Sequence, residues 1–368
     1  MFGDFTGAVT MVVALVGFVV IHEAGHFLAA KAAGLKATEF FIGFGPRIWS
    51  FKRGETEYGL KAIPAGGYVK IVGMNPYEEI APEDEGRTYR SATTSQKLFV
   101  ILSGIALNFF LAFAILWGVF VGYGDQEWVP NTTVYAVVEG SSADLAGIEE
   151  GDRLVSINGI SIDVWDDVPA SVGPIAGETV PIVVDRNGSL FNLTATIGTN
   201  EADPSRGFLG VGPDAELLVT EIAFFEGAGR AGAEVWRLTG MAYGFIGDLV
   251  RPSTIGELVS GVGGGEITTD ARPVSIVGLA RIGSQADELG LANVLYLMAS
   301  INVILGAFNV IPLLPLDGGH AAIAIYEKVF RRPANLQALA PIAAAVIALF
   351  VFIGVLSILL DITNPFQL

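Results

Sequence analysis

The residues able to do chemistry in this chain are few. It has three histidines and no cysteine. Two of the histidines stand in His22-Glu23-Ala24-Gly25-His26. On a helix, residues i and i+4 share a face. His22 and His26 can therefore hold one zinc ion, with Glu23 beside them to act on its water. The absence of cysteine removes disulfides and thiolate zinc sites from consideration. The seventeen residues before this motif, FTGAVTMVVALVGFVVI, carry no charge. An ionisable group inside such an apolar run is costly to bury, which marks the motif as a functional candidate.

A catalytic zinc usually takes three protein ligands and leaves one position for water. The remaining histidine, His320, ends the stretch NVIPLLPLDGGH, residues 309–320. Pro312 and Pro315 each remove a backbone donor there, and Gly318-Gly319 relaxes the chain. Irregular backbone at membrane depth is tolerated only where it is buried in protein or lines a cavity. Asp317 and His320 are both candidates for the third ligand. Asp317 can also be read as the cap of a helix restarting at Gly318.

The elements that must position these groups are membrane spans. The chain is 52% hydrophobic and 16% charged, with a mean hydropathy of +0.56. Soluble domains are closer to about one quarter charged. Four apolar runs, at 5–30, 98–122, 290–312 and 337–360, are long enough to cross a bilayer. The first lacks the basic start of a cleaved signal peptide. Spans one and three run the same way because one span separates them, which lets their half-sites meet. The segment 235–250 carries Arg237 and Asp248 and is short, so it is expected to lie in the interface as an amphipathic helix.

Charge gives an orientation. Residues 35–97 hold nine Lys/Arg, and the loop 321–336 adds Lys328, Arg331 and Arg332. Basic loops are enriched on the cytoplasmic side, so the N-terminus and 123–289 are expected outside. That outer segment holds 8 Lys/Arg against 25 Asp/Glu, which accounts for the whole net charge of −17. Such acidity argues against nucleic acid as a partner.

Residues 39–72 alternate Gly-rich turns with strand-like runs and read as a β-hairpin. Residues 131–198 read as a small β domain. Within it, SSADLAGIEEGDRLVSINGISI predicts a short helix at Ala143–Ala146, a turn at Gly147, and Gly151-Asp152 leading into a strand. Asn187-Gly188 marks a tight hairpin. The acidic stretch 75–89 reads as a connector, and the Asn131 and Asn192 N-x-T triplets as incidental.

HExxH in a first span with N-x-x-P-x-x-x-x-D-G-G-H in a later one resembles the site-2 protease family of intramembrane zinc metalloproteases. The likeness is to the RseP-type branch, and most to actinobacterial members with a single PDZ domain. It runs nearly end to end. FFIGFGPRIWSFKRGETEYGLKAIPAGGYVKIVGM resembles the family's re-entrant hairpin, 131–198 a PDZ core, and RPVSIVGLARIG the segment before the catalytic third span. One departure is Gly104-Ile105-Ala106-Leu107-Asn108, where members often have G-P-x-x-N.

The resemblance implies a polytopic α-helical membrane protein with four transmembrane helices, a re-entrant β-hairpin and one extracytoplasmic PDZ domain. Its divisions are 1–34 (first span), 35–97 (cytoplasmic loop and hairpin), 98–122 (second span), 123–209 (PDZ domain), 210–289 (outer linker with interfacial helices), 290–320 (third span) and 321–368 (cytoplasmic loop and fourth span). It implies zinc held by His22, His26 and Asp317, with Glu23 as general base and His320 in a supporting role. It assigns Asn309, Gly66 and Gly67 to substrate binding. The expected activity is zinc-dependent cleavage of single-span membrane proteins, with trimmed anti-sigma factors as the typical class. The hairpin is expected to take the unwound substrate as an added strand, and the PDZ domain to exclude untrimmed substrates sterically. A non-catalytic scaffold need not keep Glu23, and a metal transporter would need neither hairpin nor PDZ domain.

Overall fold

The computed structural model of the chain describes residues 2–75, 78–200, 203, 205–265, 267, 272–288 and 290–364. It divides into two compact units. One comprises the residues up to Gly122 with those from Ile222 on, and the other is Tyr123–Glu221.

The first unit opens with helix α1 (Phe2–Ala32). Two long strands follow, β1 (Ala37–Arg53) and β2 (Thr56–Ile71). Each strand bends on itself, at Gly43 and Gly45 in β1 and at Gly66 in β2, where φ is positive. Residues 39–42 therefore pair with 67–70 on one side and 57–60 on the other, and 57–60 also pair with 49–52. The result is a four-stranded ribbon in which 39–42 run antiparallel to 67–70 and in register with 57–60 in the same direction, and 67–71 pair on one side only among the described residues. The outward side chains Ile48, Trp49 and Ile63 are more than half exposed, an apolar surface that water alone does not favour. Helix α2 (Thr94–Tyr123) closes this part. Ala29 and Ala30 of α1, Ile71 of β2 and Val100 and Ile101 of α2 share one core.

The second unit is a sheet. Its elements are β3 (Asp125–Val137), α3 (Ser142–Ala146), β4 (Arg153–Ile157), β5 (Ile160–Ser161), α4 (Asp167–Val172), β6 (Thr179–Arg186), β7 (Ser189–Thr196), β8 (Gly198–Thr199), β9 (Gly207–Phe208) and β10 (Val211–Thr220). The strand order is β10-β3-β4-β6-β7, with β5 on β4. Leu154, Ile157, Ile182 and Val184 fill its core. Ser141 caps α3 by accepting from the Asp144 N–H, and Gly147 ends it at φ 80°, a conformation glycine adopts without strain. Asn187 and Gly188 both have positive φ, as a two-residue I′ hairpin requires. The sheet extends beyond the expected divisions. Residues 211–220 pair along β3 instead of starting a linker at 210. Gly212 and Pro213 weaken the strand pattern there, and the register shifts at Pro213.

The chain re-enters the first unit through α5 (Phe224–Leu249), α6 (Pro252–Val262) and α7 (Ile276–Glu288). Helix α8 (Leu291–Val310) follows, then α9 (Asp317–Phe330) and α10 (Leu336–Thr363). The segment expected as a helix over 235–250 starts eleven residues earlier, because Gly227, Gly229 and Gly232 dilute the apolar signal of its first turns. Ala231 and Leu238 of α5 pack with Ala112 and Leu116 of α2 and with Ala299 and Val303 of α8. On the other face Phe225 and Trp236 are at least 80% exposed.

Among the described residues, four helices are long and apolar enough to cross a membrane: Val9–Ala32, Thr94–Tyr123, Leu291–Val310 and Leu336–Thr363. These match the four runs read from hydropathy. Between α8 and α9 the chain breaks at 311–316. Gly318 and Gly319 serve close approach here, and not looseness. A Cβ at 318 would lie 2.2 Å from the Val310 carbonyl oxygen, and one at 319 would lie 2.5 Å from the Leu314 nitrogen. Glycine is thus what lets α9 fold back against the break. The N-cap of α9 is Leu316, and no side chain caps it, so Asp317 is the first helical residue and does not serve as the cap.

Candidate metal centre

Helix α1 presents His22 and His26 one turn apart, and α2 lies against that face at backbone contact. A Cβ on Gly25 would lie 2.7 Å from the Ser103 carbonyl oxygen. A Cβ on Gly104 would lie 2.4 Å from His26 Nε2. Gly25 thus makes room for the α2 backbone, and Gly104 for the His26 imidazole. His26 Nδ1 lies 2.9 Å from the Val100 carbonyl oxygen. A carbonyl only accepts, so Nδ1 carries the proton and Nε2 keeps its lone pair. His22 Nδ1 lies 3.1 Å from the Asn108 side-chain amide, and Asn302 Nδ2 donates to the Asn108 carbonyl oxygen at 2.7 Å.

Asp317 comes to the same point from the other side of the break. Its Oδ2 lies 3.0 Å from His22 Nε2 and 3.2 Å from His26 Nε2, and the two imidazole nitrogens are 3.1 Å apart. Three donor atoms therefore form a nearly equilateral triangle. Asp317 Oδ2 is buried and takes no hydrogen bond of good geometry. Lone pairs facing one another repel unless a proton or cation sits among them. Zinc bonds of about 2.0–2.1 Å in tetrahedral geometry space their ligands by roughly 3.3 Å, close to this triangle. His22, His26 and Asp317 are the one group of donors among the described residues able to hold a metal ion, and His320 is not part of it.

Glu23 faces the outer strand of the ribbon. The Val69 backbone lies beside its carboxylate, and a Cβ on Gly67 would lie 3.4 Å from Glu23 Cγ. Gly66 has φ 128°, which only glycine adopts readily. Gly66 and Gly67 thus stand where the ribbon meets the site. Asn309 is engaged elsewhere, its amide donating to Leu305 O at 3.1 Å within α8. Val69, Asn108 and Asn302 carried no expectation of contact with the site. The spacing of Gly104 and Asn108, four apart on α2 as His22 and His26 are on α1, is the signal that could have found Asn108.

Membrane-length helices, with two imidazoles from α1 and a carboxylate from α9 meeting at one point and a further carboxylate beside them, fit a membrane protein with a candidate metal site at its core. The chain belongs to peptidase family M50, the site-2 protease family, whose family description, Peptidase family M50, matches residues 10–354. It is 31% identical, over an alignment 405 positions long, to the zinc metalloprotease Rip1 of Mycobacterium bovis, covering 99% of this chain and 98% of that protein. It is 30% identical to the zinc metalloprotease Rip1 of Mycolicibacterium smegmatis, covering 100% and 99%. A putative zinc metalloprotease of Rhizobium meliloti is 30% identical over 86% of this chain and 85% of its own length.

Proposed function

We propose that this chain is a zinc-dependent endopeptidase that cuts single-span membrane proteins within the bilayer. Family membership makes it a metalloprotease, and zinc is its metal. The observation that carries the site assignment is the triangle of His22 Nε2, His26 Nε2 and Asp317 Oδ2, with edges of 3.0–3.2 Å. These three residues hold the metal. When bound, zinc supplies Lewis acidity, polarising the scissile carbonyl and lowering the pKa of water toward about 7. Glu23 takes a proton from the attacking water on a carboxylate oxygen and returns it to the leaving amine.

Among the described residues, 67–71 pair on one side only, and Val69 lies beside Glu23. That placement supports a role in receiving an unwound substrate as an added strand. Gly66 and Gly67 keep the ribbon close to the site without a side chain in the way. The exposed apolar side chains of the ribbon support its re-entry into the membrane. Asn309 is the proposed contact to the substrate backbone. Its bond to Leu305 O favours a second, purely structural role.

The unit Tyr123–Glu221 is a PDZ domain on the outer side, as is the N-terminus, and it excludes substrates whose outer portions have not been removed. Trimmed anti-sigma factors fit that substrate class. Deleting 123–221 should leave cleavage intact and widen it to untrimmed substrates. Unchanged selectivity would defeat the gate. The activity itself is tested with purified protein and a single-span substrate in vesicles. Chelation should abolish cleavage and zinc should restore it, and cleavage insensitive to chelation would refute the reading.

A further inference from the structure

We infer that Asn108 positions His22 as a metal ligand by accepting a hydrogen bond from His22 Nδ1–H. This rests on the metal site proposed above. His22 and Asn108 lie 86 residues apart in sequence, on α1 and α2, with His22 Nδ1 3.1 Å from Asn108 Nδ2. Asn108 is fully buried, and its Oδ1 has no hydrogen-bond partner among the described residues. An amide nitrogen facing Nδ1 requires that Nδ1 be bare and that the imidazole proton sit on Nε2. That proton would point into the triangle with His26 and Asp317, where a metal ion must bind. Binding through Nε2 moves the proton to Nδ1, which then needs an acceptor.

Turning the Asn108 amide about its terminal torsion exchanges its oxygen and nitrogen with almost no displacement of atoms. The buried oxygen then meets the His22 N–H, and the amide nitrogen takes the place the oxygen held. His26 already has the matching arrangement, with Nδ1 against the Val100 carbonyl oxygen at 2.9 Å. The two ligands would thus be oriented alike, one by a backbone oxygen and one by an amide oxygen. Asn302, also fully buried, donates to the Asn108 backbone oxygen at 2.7 Å. That bond ties α8, which leads to Asp317, to the point on α2 from which Asn108 reaches His22. The amide of Asn108 is a positioning group and touches neither substrate nor metal.

The test is zinc affinity of the purified full-length protein, read by competition with a chelator. Asn108→Leu should weaken zinc binding by about 10–100-fold, the usual effect of removing such a partner. Asn108→Asp keeps an acceptor and should stay within about threefold of wild type. Zinc affinity of Asn108→Leu within about twofold of wild type would overturn the inference, as would equal loss in Asn108→Asp and Asn108→Leu. His22→Ala separates this from the site reading. If that variant keeps its zinc, the site itself is wrong. If it loses zinc while Asn108→Leu does not, only the positioning role fails. A measurement without any variant uses the three histidines labelled with 15N. Zinc-loaded protein should show His22 protonated at Nδ1, and a bare Nδ1 on zinc-loaded His22 would refute the proposal.

Discussion

His22 Nε2 and Asp317 Oδ2 lie 3.0 Å apart although nearly the whole chain separates them. His22 sits about two-thirds of the way along a long apolar helix, and Asp317 is the first residue of the helix that follows the 311–316 break. A carboxylate oxygen this close to two imidazole nitrogens, with no good hydrogen bond of its own, is placed to share a cation with them. His320 lies one turn further along α9 and outside the triangle. Asp317→Ala should therefore lower zinc occupancy by about tenfold or more, and His320→Ala should leave it nearly unchanged. Zinc quantification on the purified variants decides this. The reverse ranking would move the third ligand to His320.

The approach of α2 to α1 leaves no room at Gly104. An added methyl would sit 2.4 Å from His26 Nε2, so the ring or the helix must move. Gly104→Ala should lower stability by about 1–3 kcal/mol, as overpacking does, and weaken zinc binding because His26 turns away. Gly118→Ala, on the same helix with nothing within 4 Å of its added Cβ, is the matched control. Thermal unfolding and zinc titration of both variants test this, and equal behaviour would show that the α1–α2 contact can relax freely.

The ribbon's contact with Glu23 is a backbone one. Val69→Pro removes the backbone N–H beside the Glu23 carboxylate while leaving every proposed ligand in place. Cleavage should fall, through kcat more than through zinc content, because the carboxylate loses a neighbouring N–H. Single-turnover rates beside metal analysis read out the difference. Zinc loss as large as the rate loss would instead mean that the ribbon holds the metal site together.

Stability of the sheet unit should depend on pH through Asp152. This carboxylate is fully buried, and Arg186 Nε bonds it at 2.7 Å. Burial opposes its charge, but the Arg186 guanidinium and the Glu149 backbone N–H outweigh burial and hold its pKa below the ordinary 3.8. A depressed folded-state pKa contributes stability that is fully present above the unfolded value and is lost as pH falls through the folded one. The unit comprising 123–221 should therefore lose stability below about pH 4. Asp152→Asn should be less stable at pH 7 and show a flatter acid limb. Chemical denaturation at several pH values tests this, and an unchanged acid limb in the variant would remove Asp152 as its source.

What could be read in advance follows from physics that acts locally. Four apolar runs must be spans whatever their packing, and HEAGH on a helix must put two imidazoles on one face. Gly147 and Asn187-Gly188 marked turns because positive φ selects those residues. The sheet's last strand was hidden because Gly212 and Pro213 interrupt the alternation that marks a strand, while its pairing with β3 is long-range. The early start of α5 was hidden by glycines that a packed face tolerates. Gly104 and Asn108 stand four apart on one face of α2, but that spacing does not say which helix the face meets. Their importance lies in what stands opposite them on α1, and that contact is long-range.

The most direct test of the central claim is one protein with one atom's chemistry changed. Glu23→Gln keeps the size of the side chain and removes its ability to take a proton, and it touches none of the three donors at 3.0–3.2 Å. Zinc content and cleavage of a membrane-embedded substrate are measured on the same sample. The account predicts about one zinc per chain and cleavage reduced by at least about a hundredfold. Cleavage near the wild-type rate in that variant would contradict it.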